Sequence, residues 1–189
     1  MALTSIALCS RALLKLGANT IASFDEGTVE SEVAANLYPF LRDGLLSAHP
    51  WSFASAQIAL PRLAAAPVAD FQYAYQLPPD FLRVLSAGTG GRGRGLPYRL
   101  EENRLHANAE EVILSYIFRP DERSFPPFFD QALIARLAAE FCLPITESTT
   151  RAESLFKQAE DEFRRAKNID GQQDMPTTFE DFSLTEVRR

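Results

Sequence analysis

The chain has 189 residues, 46% of them hydrophobic and 11% aromatic, which suits one domain with a packed core and excludes disorder over the whole length. Its net charge of −6 argues against a surface built to hold nucleic acid by counterion release, because affinity of that kind comes from clustered Lys and Arg. No run approaches the ~18 uninterrupted apolar residues of a membrane span, and no basic region with an apolar stretch opens the chain as a secretory signal would.

Residues 3–16 read as a helix. Leu3, Ile6, Ala7, Leu13, Leu14 and Leu16 recur near helical period, and Gly17 stands where a C-terminal glycine cap belongs. Cys9 lies in this pattern and Cys142 in a later one. With no CxxC pair, both read as buried small hydrophobes of a protein made in a reducing cytoplasm. A second helix is predicted over 28–48. Thr28 caps it, Glu30 and Glu32 occupy the first turn where the dipole favours acids, and Val33, Leu37, Phe40 with Leu41, and Ala48 form its stripe. Pro39 predicts a kink or break, and His49-Pro50 the end.

Residues 51–118 change character. Phe71, Tyr73 and Tyr75 alternate with polar or small neighbours, Leu82 and Val84 suggest a short strand, and 98–100 with 104–107 read as a hairpin around Glu101-Glu102-Asn103. Val112, Leu114, Tyr116 and Phe118 alternate most clearly. Ile113 and Ile117 make the other face apolar too, which predicts a central strand.

Helix returns after Pro126-Pro127, with Leu133, Leu137, Ala138 and Phe141 as its stripe and Pro144 as its end. The last helix starts at a capping box, Thr150-Arg151-Ala152-Glu153, carries Glu153–Lys157, Glu160–Arg164 and Asp161–Arg165 as i,i+4 pairs, and closes at Gly171. Residues 172–189 continue no pattern. They read either as a frayed tail or as an arm that orders on a partner, since Phe179, Phe182 and Leu184 are wasted on a segment that touches nothing.

The chain offers little that carries chemistry. Gly88-Thr89-Gly90-Gly91-Arg92-Gly93 satisfies G-x-G-x-x-G, but the residues that follow, Arg94-Gly95-Leu96-Pro97, cannot open the helix whose N-terminus would hold a phosphate. A loop between two strands is the expectation, with Arg92 and Arg94 as its candidate contact with a neighbouring protein or a polyanion. His49 and His106 have no metal-ligand spacing, no G-x-S-x-G elbow is present, and the acid pairs Glu101-Glu102 and Glu110-Glu111 sit at turns. The expectation is a protein with no catalytic residues, no cofactor and no metal.

Several segments together resemble one family. His49-Pro50-Trp51-Ser52-Phe53-Ala54 follows an amphipathic helix, and Tyr73-Ala74-Tyr75-Gln76-Leu77-Pro78-Pro79-Asp80-Phe81-Leu82-Arg83-Val84 comes after it. Upstream lies Ala12-Leu13-Leu14-Lys15-Leu16-Gly17, with Ile21 and Ser23. Downstream come Asn103 before Leu105, a strand with Tyr116-Ile117, residues 128–138, and Ala166-Lys167-Asn168-Ile169-Asp170-Gly171-Gln172. This ordered set, over residues 3–173, resembles the tail tubular protein A and head–tail connector (adaptor) family of tailed bacteriophages.

The resemblance implies a structural protein of the virion and not an enzyme. Such proteins form a ring, generally of twelve copies, docked on the portal protein at the capsid vertex. A downstream tail, nozzle or stopper protein attaches below, and genome DNA passes through the channel without sequence recognition. The implied location is the head–tail interface of a particle assembled in the bacterial cytoplasm, with no membrane partner. A C-terminal arm that grips the portal or a neighbouring subunit makes Phe179, Phe182, Leu184, Arg188 and Arg189 the candidate partner-binding residues. The nearest alternatives are another virion role, such as stopper or tail completion protein, and a nucleic-acid-binding module acting through Arg92, Arg94 and the terminal arginines. Pattern and resemblance together predict an α+β fold that is mainly α. Its plan is a four-helix bundle (helices near 3–16, 28–48, 127–142 and 150–170) built from 1–50 and 126–171, a β-rich insert at 51–125, and an extended C-terminal arm at 172–189.

Overall fold

Three of the four described helices begin at a residue whose side chain caps the first turn. The computed structural model describes residues 3–91 and 93–173. Helix α1 (Ser5–Leu16) is capped by the Thr4 hydroxyl, which accepts from the Ala7 N–H, and closes on left-handed Gly17 (φ 71°). Helix α2 (Val29–Ser47) starts with a reciprocal pair: Ser31 N–H donates to the Thr28 hydroxyl and Thr28 N–H to the Ser31 hydroxyl. The helix runs through Pro39 without a break, so of the kink and the break expected there the break is overturned.

Helix α3 (Pro127–Thr146) has proline at its start, where a missing N–H costs nothing. It continues past residue 142 and through Pro144, in its last turn. Helix α4 (Thr149–Asp170) is capped by Ser148, not Thr150, and the exposed pairs on it are Asp161–Arg164 and Glu162–Arg165 at i,i+3.

Six strands lie between α2 and α3: β1 (Ser55–Ala59), β2 (Tyr73–Gln76), β3 (Phe81–Gly88), β4 (Tyr98–Glu101), β5 (Arg104–Ala107) and β6 (Ile113–Phe118). They form two three-stranded antiparallel sheets, ordered β1-β6-β3 and β2-β5-β4. The β4–β5 hairpin turns at Glu102-Asn103, both with positive φ, as a two-residue turn with the twist of its strands requires. β6 is central in its sheet, as its two apolar faces require.

The four-helix bundle is the expectation the structure overturns. In a bundle each helix buries one stripe around a shared axis. Here α3 is buried on several sides, with Phe129, Leu133, Leu137 and Phe141 in the main core and Ala135 and Ala139 against Ala159 of α4. α1, α2 and α4 each pack on α3, and the rest of the core is supplied by the β region, through Trp51, Ala54 and Ile117 with Leu82 and Leu85 beside them. The molecule is therefore a mixed α+β fold and not mainly α. Helical propensity alone could not reveal this, because whether a neighbour is helix or sheet does not change the apolar period of α3.

The side chains of β6 divide two cores between them. Ile117 faces the helices, while Leu114 and Tyr116 face the second sheet, where Tyr75, Leu77, Leu105 and Ala107 complete a separate cluster. Three layers result, helices on sheet on sheet.

Candidate interaction surfaces

The junction between α2 and β1 is built around one indole. Trp51 is fully buried, its Nε1–H donates to the Leu45 carbonyl at 3.0 Å, and its ring meets Phe129 (5.2 Å) and Phe163 (5.8 Å) edge-on. Phe53 continues the cluster onto Phe125 and Phe129. On either side of Trp51, His49 and Ser52 both reach the buried carboxylate of Asp170 at the end of α4. Burial pulls the His49 imidazole below its ordinary pKa, against the opposing pull of Asp170.

A second polar cluster fastens α2 to the end of β6. Arg119 makes a two-pronged pair with Asp43, Arg42 bridges Asp43 and Glu122 at 2.9 and 2.8 Å, and the Tyr38 hydroxyl donates to Glu122 at 3.1 Å. Burial pushes the Asp43 carboxyl up, but the hydrogen bonds from Arg119 and Arg42 outweigh it and hold the group below the usual carboxylate range. Sequence reading missed both clusters, since the elements they join lie 76 or more residues apart in the chain.

Nucleophile and metal chemistry find no assembled group among the described residues. Cys9 is enclosed in the core and burial pushes its thiol up to about 12, away from the reactive thiolate. Cys142 is equally enclosed and lies 3.3 Å from the Thr146 hydroxyl. His106 is 3.5 Å from Glu101 in the β4–β5 hairpin. No three His, Cys, Asp or Glu among the described residues stand where they could hold a metal ion, and no described helix is long and apolar enough to cross a membrane.

The glycine-rich segment joins β3 to β4 with no helix after it, so the G-x-G-x-x-G match has no dipole to offer a phosphate. Its backbone instead folds back on its own sheet. Gln57, Ser115 and Ser86 lie side by side across β1, β6 and β3, and the Gly93 carbonyl accepts from Ser86 (2.6 Å) and Ser115 (3.3 Å). A Cβ at Gly93 would stand 2.8 Å from the Ser115 hydroxyl, so a larger residue there must displace that hydroxyl or the loop. Arg94 is exposed beside this polar row; Arg92 lies outside the described residues. Phe179, Phe182, Leu184, Arg188 and Arg189 also lie outside them.

An apolar groove of about 330 Å³ lies between α2 and α4, with Arg136 of α3 at its edge. Phe40, Leu41, Gly44, Leu45, Ala159 and Phe163 line it, with Arg136 and Glu160 as its polar members. Phe40 is 76% exposed, while Leu41 and Tyr38 are buried. Phe40 thus departs from the core stripe expected of it. The signal was present in the spacing: two residues from Tyr38 is roughly 200° around a helix, on the opposite face. No family model matches the chain, and no curated protein matches it.

Proposed function

We propose that the chain is a structural adaptor subunit of the head–tail interface of a tailed bacteriophage or phage-like particle, which forms a ring on the portal and lets DNA pass through its centre. The observation that carries this reading is the ordered set of segments described above, from Ala12-Leu13-Leu14-Lys15-Leu16-Gly17 to Ala166-Lys167-Asn168-Ile169-Asp170-Gly171-Gln172. Two of them occupy layer junctions. Residues 49–54 carry Trp51 between helices and sheet, and residues 73–84 form β2, the turn at Pro78-Pro79 and the first half of β3. Segments that define a protein by how its layers join suit a building block, whose work is done by shape and repeated contact.

A ring of identical subunits closes through heterologous contacts, in which one surface of each copy meets a different surface of the next. The acidic subunit, with 25 Asp and Glu against 19 Lys and Arg, suits a channel that DNA slides through without adhering.

The test is co-sedimentation of the full chain with the portal ring encoded in the same genome, beside a chain ending at Gln173. Co-sedimentation of the full chain supports the adaptor reading, and its loss on truncation assigns the contact to the terminal segment. Binding to another tail component, with none to the portal, replaces the reading with a stopper or tail-completion role. Failure to bind either protein overturns it.

A further inference from the structure

Two exposed apolar features stand at different layers of the described chain. One is the groove between α2 and α4, whose lip, Phe40, is 76% exposed. The other is the connection from β1 to β2. There Ala64-Ala65-Ala66-Pro67-Val68-Ala69 carries no polar side chain and leaves Val68 fully exposed. We infer that these features meet between copies of this chain: the loop at 64–69 of one molecule docks in the α2–α4 groove of the next.

Position makes the contact intermolecular. Strands β2 and β5 turn Tyr75, Leu105 and Ala107 toward the first sheet, which leaves Ala74, His106 and Arg99 as a cross-strand row on the outer face. Residues 65–70 lie over that outer face, where with this row they bound a space of about 470 Å³. Both ends of the loop are pinned. The Leu63 N–H donates to the Ala74 carbonyl at 2.8 Å, and Asp70 pairs with Arg99 at 2.7 Å. The groove belongs to the helix layer, on the other side of both sheets, so a loop pinned in this way cannot reach the groove of its own molecule. Contact between two different surfaces of one chain is heterologous, the kind from which a ring closes.

Shape and chemistry support the pairing. A loop tied at both ends and bare between them loses little freedom on docking. It brings no charged or hydroxyl group into the groove, where Phe40, Leu41, Leu45 and Phe163 offer apolar surface. Of the charges around the groove, Arg136 is paired with Glu140 at 2.6 Å and Lys167 lies over the Phe163 ring. The Glu160 carboxylate in the lining has no ion pair among the described residues. Under the loop, Arg99 and Arg104 stand among Asp70, Glu101 and Glu102. Arg62, at the loop's base, lies over the Tyr73 ring with no ion pair among the described residues, which makes it the cation available to Glu160 of the next copy.

The inference rests on the ring reading, whose subunit contact it names. Its test needs no portal, so the two can fail separately. Disulfide trapping uses two variants of the full chain, Gly44→Cys in the groove and Ala66→Cys in the loop, one of them carrying a mass tag. A Cβ at Gly44 meets nothing within 4 Å, Ala66 is exposed, and the native Cys9 and Cys142 are fully buried. The control mixes Ala66→Cys with Glu153→Cys, exposed near the start of α4.

Under mild oxidation of concentrated protein, groove and loop variants should form linked heterodimers about tenfold or more faster than the control pair. The advantage should vanish when Val68→Asp is added to the loop variant, a change at a fully exposed position that leaves the core untouched. A chain carrying both cysteines should give a ladder of linked multimers. Equal rates for the two mixtures overturn the inference, as does an advantage that survives Val68→Asp. Cross-linked monomers of the double-cysteine chain overturn it too. Homodimers of Gly44→Cys forming as fast as the heterodimers would also overturn it, and would assign the groove to a face-to-face contact of two copies.

Discussion

Ser52 donates both its backbone N–H and its hydroxyl to the carboxylate of Asp170, 118 residues further along the chain, the hydroxyl at 2.7 Å. The acid stands in the last turn of α4, where the helix dipole disfavours it, and it is only 3% exposed. What holds it there is the set of donors from residues 49–52, with His49 Nε2 at 3.5 Å. The end of α4 is thereby tied to the chain just as it leaves α2, across the Trp51 cluster. Removing the acceptor deprives two part-buried donors of their shared partner, so Asp170→Ala is expected to cost about 1–2 kcal/mol. Urea unfolding of Asp170→Ala, Ser52→Ala and the double variant reads this directly. The coupling energy should exceed about 1 kcal/mol, and additive effects would show that the two residues do not act together.

Asp43 links acid stability to the joint between α2 and β6. Its folded-state pKa is depressed by Arg119 and Arg42, so its contribution is present above the ordinary aspartate pKa and is lost as pH falls through the lowered folded value. Asp43→Asn should lower stability at pH 7 by about 1–2 kcal/mol, given two charge-assisted partners on a partly exposed group. Below pH ~4 the gap should narrow, because the unfolded chain then takes up a proton that the folded carboxylate still resists. A gap that stays constant from pH 7 to pH 3 would sink this account.

Local features of the fold were legible in the sequence because they depend on neighbours a few residues away. Gly17 as a left-handed cap, Thr28 as an N-cap, the Glu102-Asn103 turn and the two-faced apolarity of β6 are all of this kind. The arrangement of the helices was not. The stripe of α3 is so broad that its partners could be three helices alone or three helices and a sheet, and only Ile117 and Trp51 entering the same core decide between them. β1 escaped notice since Ser-Ala-Gln-Ile-Ala is half exposed and lacks the alternation of a strand with one dry face. Of the candidate contact residues, Arg94 falls on an exposed strand-to-strand loop, while Phe40 emerges from a residue assigned to the core. Arg92 and the five terminal residues stand outside the described structure, so for them the sequence is still the whole basis of the assignment.

Asp130 works in the opposite sense to Asp43. It lies in the first turns of α3 with Oδ1 buried and no hydrogen-bond partner among the described residues, and burial pushes its carboxyl up to about 6 although Arg11 opposes the shift. The folded protein therefore holds a proton between pH ~4 and pH ~6 that the unfolded chain has released, so this group's contribution to stability falls as pH rises through that window. Asp130→Asn removes the penalty. At pH 7 it should stabilise by about 1 kcal/mol, a figure discounted for the partial exposure of the site, and should do little at pH 4. Thermal unfolding at the two pH values decides: a lower Tm for the variant at pH 7 would show that the ionised carboxylate has a partner the geometry does not reveal.

The last prediction concerns the strap that Gly93 makes across the polar row of Gln57, Ser115 and Ser86. Its carbonyl takes hydrogen bonds from two serines, and its α-carbon lies so close to the sheet that a methyl group would meet the Ser115 hydroxyl at 2.8 Å and the Gln57 amide at 2.9 Å. The Gln57 amide can swing aside, but the Ser115 hydroxyl is held by the strand and by the very carbonyl the loop presents. Gly93→Ala should therefore lift the loop and cost about 1–2 kcal/mol, from overpacking and two weakened hydrogen bonds. It should also expose the Arg94 peptide bonds to trypsin, since a loop released from its sheet becomes a cleavage site. Gly91→Ala at a neighbouring position meets no atom within 4 Å and is strained only by its positive φ, so its cost should come without the gain in cleavage at Arg94. If Gly93→Ala is cut no faster than wild type, the loop is held by something other than its contact with Ser86 and Ser115.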